Sequence, residues 1–169
     1  MTNTTKIFHD LNFSSNRNID VIVGGHDIND ISDESILAVS KVIVHPKFNS
    51  KSLDYDFAIL FLAVQVSSES RAIPACLPPI SMSGDFLAEK DLTISGWGQI
   101  DSFGSTSTIL RSAIVQGVSN SKCRNIYSNK FEITDRMICA GKLEKGGVDA
   151  CAGDGGGNLD AMVGSSFNF

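Results

Sequence analysis

The chain has 169 residues and a formal net charge of −5, and 42% of its residues are apolar while 20% are charged. This is the composition of a globular protein that is large enough to bury a substantial core. The negative charge argues against nucleic acid or an anionic membrane as the main partner. No apolar run approaches the ~20 residues that a membrane span needs, and the opening MTNTTKIFHD lacks the apolar segment of a signal peptide.

Short runs rich in Val, Ile and Leu follow one another along the chain: DVIVGG, AVSKVIVHP, FAILFLAVQV, DLTISGWGQI and TILRSAIVQGV. Gly, Asn, Asp, Ser and Pro separate these runs, which predicts an all-β barrel or sandwich. One short helix is predicted at SNSKCRNIY, with Ser119 or Ser121 as its N-cap. Three of the four prolines lie within residues 71–85, between two strand-rich halves, and indicate a crossing between domains.

Five phrases occur in the same order as in the trypsin/chymotrypsin family of serine proteases. They are YDFAIL at 55–60, PACLP at 74–78, SGWG at 95–98, MICAG at 137–141 and DACAGDGGGNL at 149–159. The chain therefore resembles that family from about residue 20 to residue 160. The resemblance implies an all-β fold of two antiparallel, six-stranded-type β-barrels, both incomplete because the chain is short at each end.

The resemblance also implies the domain organisation. Residues 1–19 form an atypical N-terminal segment, residues 20–75 a partial first β-barrel and residues 76–169 a partial second β-barrel. The letters IVGG at 22–25, which open mature family members after activation cleavage, are interpreted as part of an interior strand. Val21 precedes them, and Asp56 follows too closely for the start of a mature enzyme.

Acyl transfer in this family needs a nucleophilic hydroxyl, a His base, an Asp that orients the base and main-chain donors for the oxyanion. The resemblance makes Asp56 the orienting Asp. The nucleophile position falls on Gly155, which has no side chain to deprotonate or acylate. Gly153 and Gly155 are the implied oxyanion donors, because glycine accepts the tight turn that presents two N–H groups.

The position of the base is open. FHDLNF at 8–13 echoes the AHCLNF of active members, and His9 precedes Asp56 at close to the family spacing. His9 therefore either marks the old catalytic site or belongs to an unrelated N-terminal segment. His26 and His45 are interpreted as surface or packing residues.

Two further acids have implied roles. Asp154 matches the residue that receives the new α-ammonium group after zymogen cleavage. Because no such N-terminus is expected here, we expect its carboxylate to lack a partner and its loop to be mobile. Asp149 matches the pocket residue that pairs with Arg or Lys of a substrate, and a solvated loop acid is the alternative.

The resemblance assigns the cysteines as well. Cys123 and Cys139 match a family disulfide, while Leu92 and Ala161 occupy the positions of a second bridge whose cysteines are both absent. Cys76 and Cys151 are expected to be unpaired within this chain. An extracellular location is implied by the resemblance.

No cofactor or metal is expected. The acidic stretch HDINDISDE at 26–34 overlaps the calcium loop of the family, but Gly25 replaces a usual acidic ligand. A solvated acidic loop is therefore the default interpretation.

Two functions follow from these assignments. The first is a non-catalytic serine protease homologue with a binding or regulatory role, whose partner is a protein or peptide, such as an inhibitor or substrate of active relatives. The alternative is a functional endopeptidase that cleaves after Arg or Lys and is represented here by an incomplete or altered sequence. A further hypothesis is a truncated product that does not fold alone, because unpaired sheet edges favour aggregation.

Overall fold

The computed structural model describes residues 19–32, 35–79, 84–101, 104–144 and 146–161. Within these ranges the chain forms seven β-strands, one α-helix and a short 3-10 helix over Gly84–Leu87. The elements are β1 (Asp20–Ile22), β2 (Ile36–Val44), β3 (Ala58–Leu62), β4 (Asp91–Gly96), β5 (Arg111–Val118), α1 (Asn120–Tyr127), β6 (Cys139–Gly141) and β7 (Leu159–Ala161). The strands form two antiparallel sheets, which confirms the predicted all-β class.

The first sheet has the order β1-β2-β3. β2 is its central strand, and its sequence ILAVSKVIV is rich in β-branched residues, which favour the pleated conformation of a strand. Its register against β3 shifts between Val39 and Lys41, and at this irregularity the Ser40 hydroxyl donates to the carbonyl oxygen of Phe61 at 3.0 Å. Burial alternates at the start of β3, so Leu60 faces the interior while Ile59 is exposed.

The second sheet has the order β6-β5-β4-β7. β4 and β5 pair over their whole common length, and this pairing places Leu92 directly opposite Val115. Both side chains are only 1% exposed and pack with Leu87 of the 3-10 helix to form one small core cluster. Leu92 also pairs with Ala161 across β4 and β7. The two positions of the absent second bridge are therefore direct neighbours, held here by an apolar contact.

The helix α1 begins where the sequence predicts. Ser119 is its N-cap, and the Ser119 hydroxyl oxygen accepts a hydrogen bond from the Lys122 N–H at 3.3 Å. Cys123 on this helix forms a disulfide with Cys139 of β6, with the two Cα atoms 6.4 Å apart, so the predicted pairing is confirmed. Cys76 is an exposed free thiol and Cys151 a partly buried one.

The two sheets are joined by main-chain bonds as well as by the connecting segment. The His26 carbonyl oxygen accepts hydrogen bonds from the Leu110 N–H at 2.7 Å and from the Trp97 indole N–H at 3.1 Å. Asp27 and Ile109 form an isolated antiparallel bridge beside them. The segment after β1 thus lies against the segment that leads into β5. The division into two barrel domains at residues 75 and 76 stays a prediction.

An ion pair forms a second contact between the halves. Asp54, at the end of the turn that precedes β3, accepts two hydrogen bonds from the Arg136 guanidinium, 2.9 and 2.5 Å long. The Thr134 hydroxyl donates to the same carboxylate at 2.9 Å, and the guanidinium lies 4.4 Å from the centroid of the Tyr55 ring. The Asp54 side chain is only 14% exposed, so this contact is shielded from solvent on its acidic side.

Acid is expected to weaken this contact. The hydrogen bond from Arg136 holds the pKa of Asp54 below its ordinary value of 3.8, against the opposing effect of burial, and Thr134 adds a further lowering. A carboxyl group with a lowered folded-state pKa contributes stability above its unfolded-state pKa and loses it as pH falls through the folded-state pKa. The stabilisation from Asp54 should therefore be complete above about pH 5 and decline below about pH 4.

Urea unfolding of the wild type and of Asp54→Asn, measured from pH 7 down to pH 3, checks this expectation. The difference between their free energies of unfolding should shrink at the acidic end of the series. A difference that stays constant over the whole range would show that the Asp54 charge contributes nothing to stability.

Candidate functional site

A glycine-rich loop, residues 151–157, lies in a cavity of about 520 Å³ between the two sheets. We call this cavity the loop cleft. Its walls come from β1 and the glycines after it, from β3, from the SGWG turn at 95–98 and from the loop itself. The residues that line it include Val21, Leu60, Ser95, Trp97, Asp154, Gly155 and Asp160. The fold thus places the nucleophile position of the resemblance at the junction of the sheets.

The glycines of this loop have different roles. Gly153 has φ 97° and Gly156 has φ 79°, a left-handed backbone conformation that favours glycine strongly. Gly155 is not among the described residues with positive φ. The backbone conformation at this position therefore does not require glycine, and it permits serine.

Both oxygens of the Asp154 carboxylate accept hydrogen bonds from main-chain donors. One oxygen accepts a hydrogen bond from the Gly98 N–H at 2.7 Å, and the other accepts one from the Cys151 N–H at 2.9 Å. The expectation of an unpartnered carboxylate is therefore wrong. The reason is that the SGWG turn supplies one main-chain N–H and the loop itself supplies another, where the resemblance implied a cation.

Asp56 is not among the residues that line the loop cleft. It is partly buried just before β3 and lines a second cavity of about 900 Å³, which we call the aromatic cavity. His45 and Phe57 line the same cavity, and the His45 ring stacks in parallel on Tyr55 with centroids 4.6 Å apart. His45 also accepts a hydrogen bond from the Lys47 N–H at 3.1 Å, which fits the predicted packing role.

The structure therefore brings Gly153, Asp154 and Gly155 together but does not place Asp56 in the same cavity. His9 lies outside the described residues. Of the constellation that the resemblance implies, the described residues thus include the glycine-rich loop and Asp56, which line different cavities. The catalytic roles of these residues stay predictions.

The sequence of the chain matches the family model named Trypsin over residues 8–164. The chain belongs to the trypsin family of serine proteases. It is 36% identical over 146 residues to Trypsin 5G1 of Aedes aegypti, an alignment that covers 86% of this chain and 53% of that protein. The chain thus spans about half the length of this curated relative.

In this trypsin-family chain, the residue that the resemblance assigned to substrate recognition, Asp149, faces solvent. Asp149 is exposed, and its carboxylate accepts a hydrogen bond from the N–H of the next residue, Ala150, at 2.8 Å. It lines neither the loop cleft nor the aromatic cavity. The described residues thus place Asp149 on a loop and leave its proposed role in substrate recognition as a prediction.

The structure adds polar residues that the sequence did not single out. The Ser95 hydroxyl donates to Asn158 at 2.6 Å, and the Asn158 amide donates to the carboxylate of Asp160. Asp160 joins Asp154 in the loop cleft, where no described lining residue is Lys, Arg or His. No spacing rule predicts this network, because its members are brought together by the pairing of β4 with β7.

No group of three His, Cys, Asp or Glu side chains comes together in the described part of the chain in a way that suits a metal ion. No described helix has the length and apolar character that crossing a membrane requires.

Proposed function

We propose that this trypsin-family chain does not turn over substrate and acts by binding a protein or peptide. The observation that carries the proposal is Gly155 at the nucleophile position. An acyl-enzyme needs a side-chain oxygen or sulfur to form the covalent bond, and glycine offers neither. Removing the nucleophile of a serine protease triad costs about 10⁶-fold in turnover, so the remaining machinery gives no useful hydrolysis.

Binding does not require the missing hydroxyl. The main-chain N–H groups of Gly153 and Gly155 are unaffected by the loss of a side chain, and such groups stabilise developing negative charge in acyl transfer. The loop cleft between the sheets is large enough for part of a peptide. The partner class that fits is therefore a polypeptide, such as an inhibitor or substrate of active relatives, in an extracellular setting.

A fluorophosphonate probe tests the absence of turnover directly. The wild-type chain should remain unlabelled, and it should release no product from an arginyl ester beyond the uncatalysed rate. A cooperative thermal transition recorded on the same sample shows that the chain is folded. Stoichiometric labelling of the folded wild type, or many turnovers of the ester, would overturn the proposal.

The second candidate is a functional endopeptidase that carries serine at position 155. The backbone conformation at Gly155 is compatible with that residue. Because Gly155 lacks a positive φ, serine fits that position without backbone strain. Gly155→Ser is therefore the matched variant for the probe experiment. If the probe labels Gly155→Ser and does not label the wild type, the loss of activity is assigned to this one position.

A further inference from the structure

The turn before β3 has an unusual backbone. Leu53 has φ 54° and Tyr55 has φ 55°, and they are two of the three described non-glycine residues with a positive φ. Residues with a bulky side chain rarely adopt this left-handed conformation. A strained backbone of this kind persists only where surrounding contacts hold it, and such residues cluster at functional sites. Because Tyr55 directly precedes Asp56, the strain lies beside the residue that the resemblance makes the orienting Asp.

Two main-chain bonds depend on the conformation of this turn. The Asn49 N–H donates to the carbonyl oxygen of Asp54 at 3.1 Å, and the Phe57 N–H donates to that of Tyr55 at 2.9 Å. Both acceptors belong to the middle of the turn, so a change in its backbone would break both bonds. The two amides therefore report on the turn, and the Phe57 amide follows Asp56 directly in the chain.

Side chains from the second half of the chain contact two consecutive residues of the turn. The Asp54 carboxylate accepts two hydrogen bonds from the Arg136 guanidinium and one from the Thr134 hydroxyl. The same guanidinium lies 4.4 Å from the centroid of the Tyr55 ring, within the range of a cation–π contact. Hydrogen bonds between charged groups are stronger than those between neutral groups. The second half thus supplies charged contacts on the side chains of the turn.

The loop that carries Thr134 and Arg136 is itself fixed by α1. The Asn120 side-chain amide donates to the carbonyl oxygens of Thr134 and Met137, at 3.2 and 3.1 Å, and Asn120 is buried. The Nε of Arg124 donates to the carbonyl oxygen of residue 133 at 2.9 Å. Because Asn120 and Arg124 both belong to α1, the loop is held to the helix, and the turn before β3 adapts to the loop.

We propose that Thr134 and Arg136 are positioning residues, which hold the turn before β3 in its left-handed conformation. They act through the side chains of Asp54 and Tyr55, and they thereby fix the backbone at Asp56. The turn also forms part of the wall of the aromatic cavity, so the second half of the chain sets the shape of that wall. This inference goes beyond the proposed function, because it needs neither turnover nor a particular residue at position 155.

Amide hydrogen exchange in the folded chain tests this role. Arg136→Ala should accelerate exchange at Asn49 and Phe57 by about tenfold or more, because hydrogen bonds between charged groups are lost and the strained turn opens. Ala63, just after the far end of β3, is the internal control, since its N–H donates to the carbonyl oxygen of Ala38 at 2.8 Å. Exchange at Ala63 should not change.

Leu53→Gly provides the rescue. Glycine adopts a positive φ without a steric penalty, so the turn no longer needs to be held against strain. Adding Arg136→Ala to Leu53→Gly should therefore accelerate exchange at Asn49 and Phe57 by a much smaller factor than in the wild type. Glu89→Gly is the matched control, because Glu89 has φ 63° and lies outside this turn. It should leave the factor for Arg136→Ala unchanged.

A second variant covers the case in which Arg136→Ala does not fold. Thr134→Val removes one donor to Asp54 and leaves the ion pair in place, so exchange at Asn49 and Phe57 should rise by about fivefold. Leu53→Gly should again reduce that factor.

Two results would overturn the proposal. In the first, Arg136→Ala accelerates exchange at Asn49, Phe57 and Ala63 by the same factor, which would show that Arg136 contributes only to global stability. In the second, Leu53→Gly leaves the effect of Arg136→Ala unchanged, which would show that the conformation of the turn does not depend on this contact. Fluorophosphonate labelling of the wild type would contradict the proposed function and leave this inference standing.

Discussion

Replacing Gly117 with Ala should lower the free energy of unfolding by about 3 kcal/mol, the upper part of the usual range for overpacking a well-packed core. Gly117 is buried in β5, and a Cβ there would overlap the carbonyl oxygen of Leu87 and lie 2.7 Å from its carbonyl carbon. The Leu87 carbonyl belongs to the 3-10 helix before β4, so the clash is with main chain and not with a flexible side chain.

The backbone on both sides of this contact is held in place. The Gly117 N–H donates to the carbonyl oxygen of Lys90 and the Gly117 carbonyl accepts from the Glu89 N–H, each at 2.9 Å. Moving β5 away from the helix to admit a methyl group would stretch both bonds and disturb the neighbouring cluster of Leu87, Leu92 and Val115. The strain therefore cannot be relieved without weakening these hydrogen bonds or the packing of this cluster.

Urea unfolding followed by circular dichroism measures this effect. Gly141→Ala, in the neighbouring strand β6, is the control, since its new Cβ has open space around it and its φ is not positive. It should change the free energy of unfolding by less than about 1 kcal/mol. Equal losses for the two variants would show that the Leu87 contact is not what makes glycine necessary at 117.

Removing the disulfide should have an effect of similar size. The double substitution Cys123→Ala and Cys139→Ala opens a covalent loop with a sequence separation of 16 residues. The chain-entropy model assigns about 3 kcal/mol to a crosslink of that length. Cys123 is only 2% exposed and packs with Val118 and Ile133, so alanine is chosen to avoid burying an unpaired hydroxyl.

The free cysteines supply the control for this experiment. Cys76→Ala and Cys151→Ala alter thiols that form no disulfide, and they should leave the response to reductant unchanged. Dithiothreitol should lower the stability of the wild type to that of the double variant and should not affect the double variant itself. A wild type that is insensitive to complete reduction would contradict the assigned role of the bridge.

Much of the architecture was accessible from the sequence. A short apolar run bounded by turn residues predicts strands such as β3, and Ser119 or Ser121 ahead of a helix-compatible run predicts α1. Both signals act over a few neighbouring residues. The order of the family phrases led to the correct family and to the Cys123–Cys139 pair. The identity of Gly155, on which the proposed lack of turnover rests, is a property of the sequence alone.

The tertiary structure decided which groups form hydrogen bonds with the charged side chains. Asp54 and Arg136 are 82 residues apart, and Asp154 and Gly98 are 56 apart, so no local pattern marks them as partners. A cationic partner of Asp154 would be visible in the sequence as a Lys, Arg or His, whereas a main-chain donor such as the Gly98 N–H is not. Such donors reach a carboxylate only after the chain has folded back on itself, since the direction of an N–H group is set by the backbone path and not by the residue that carries it.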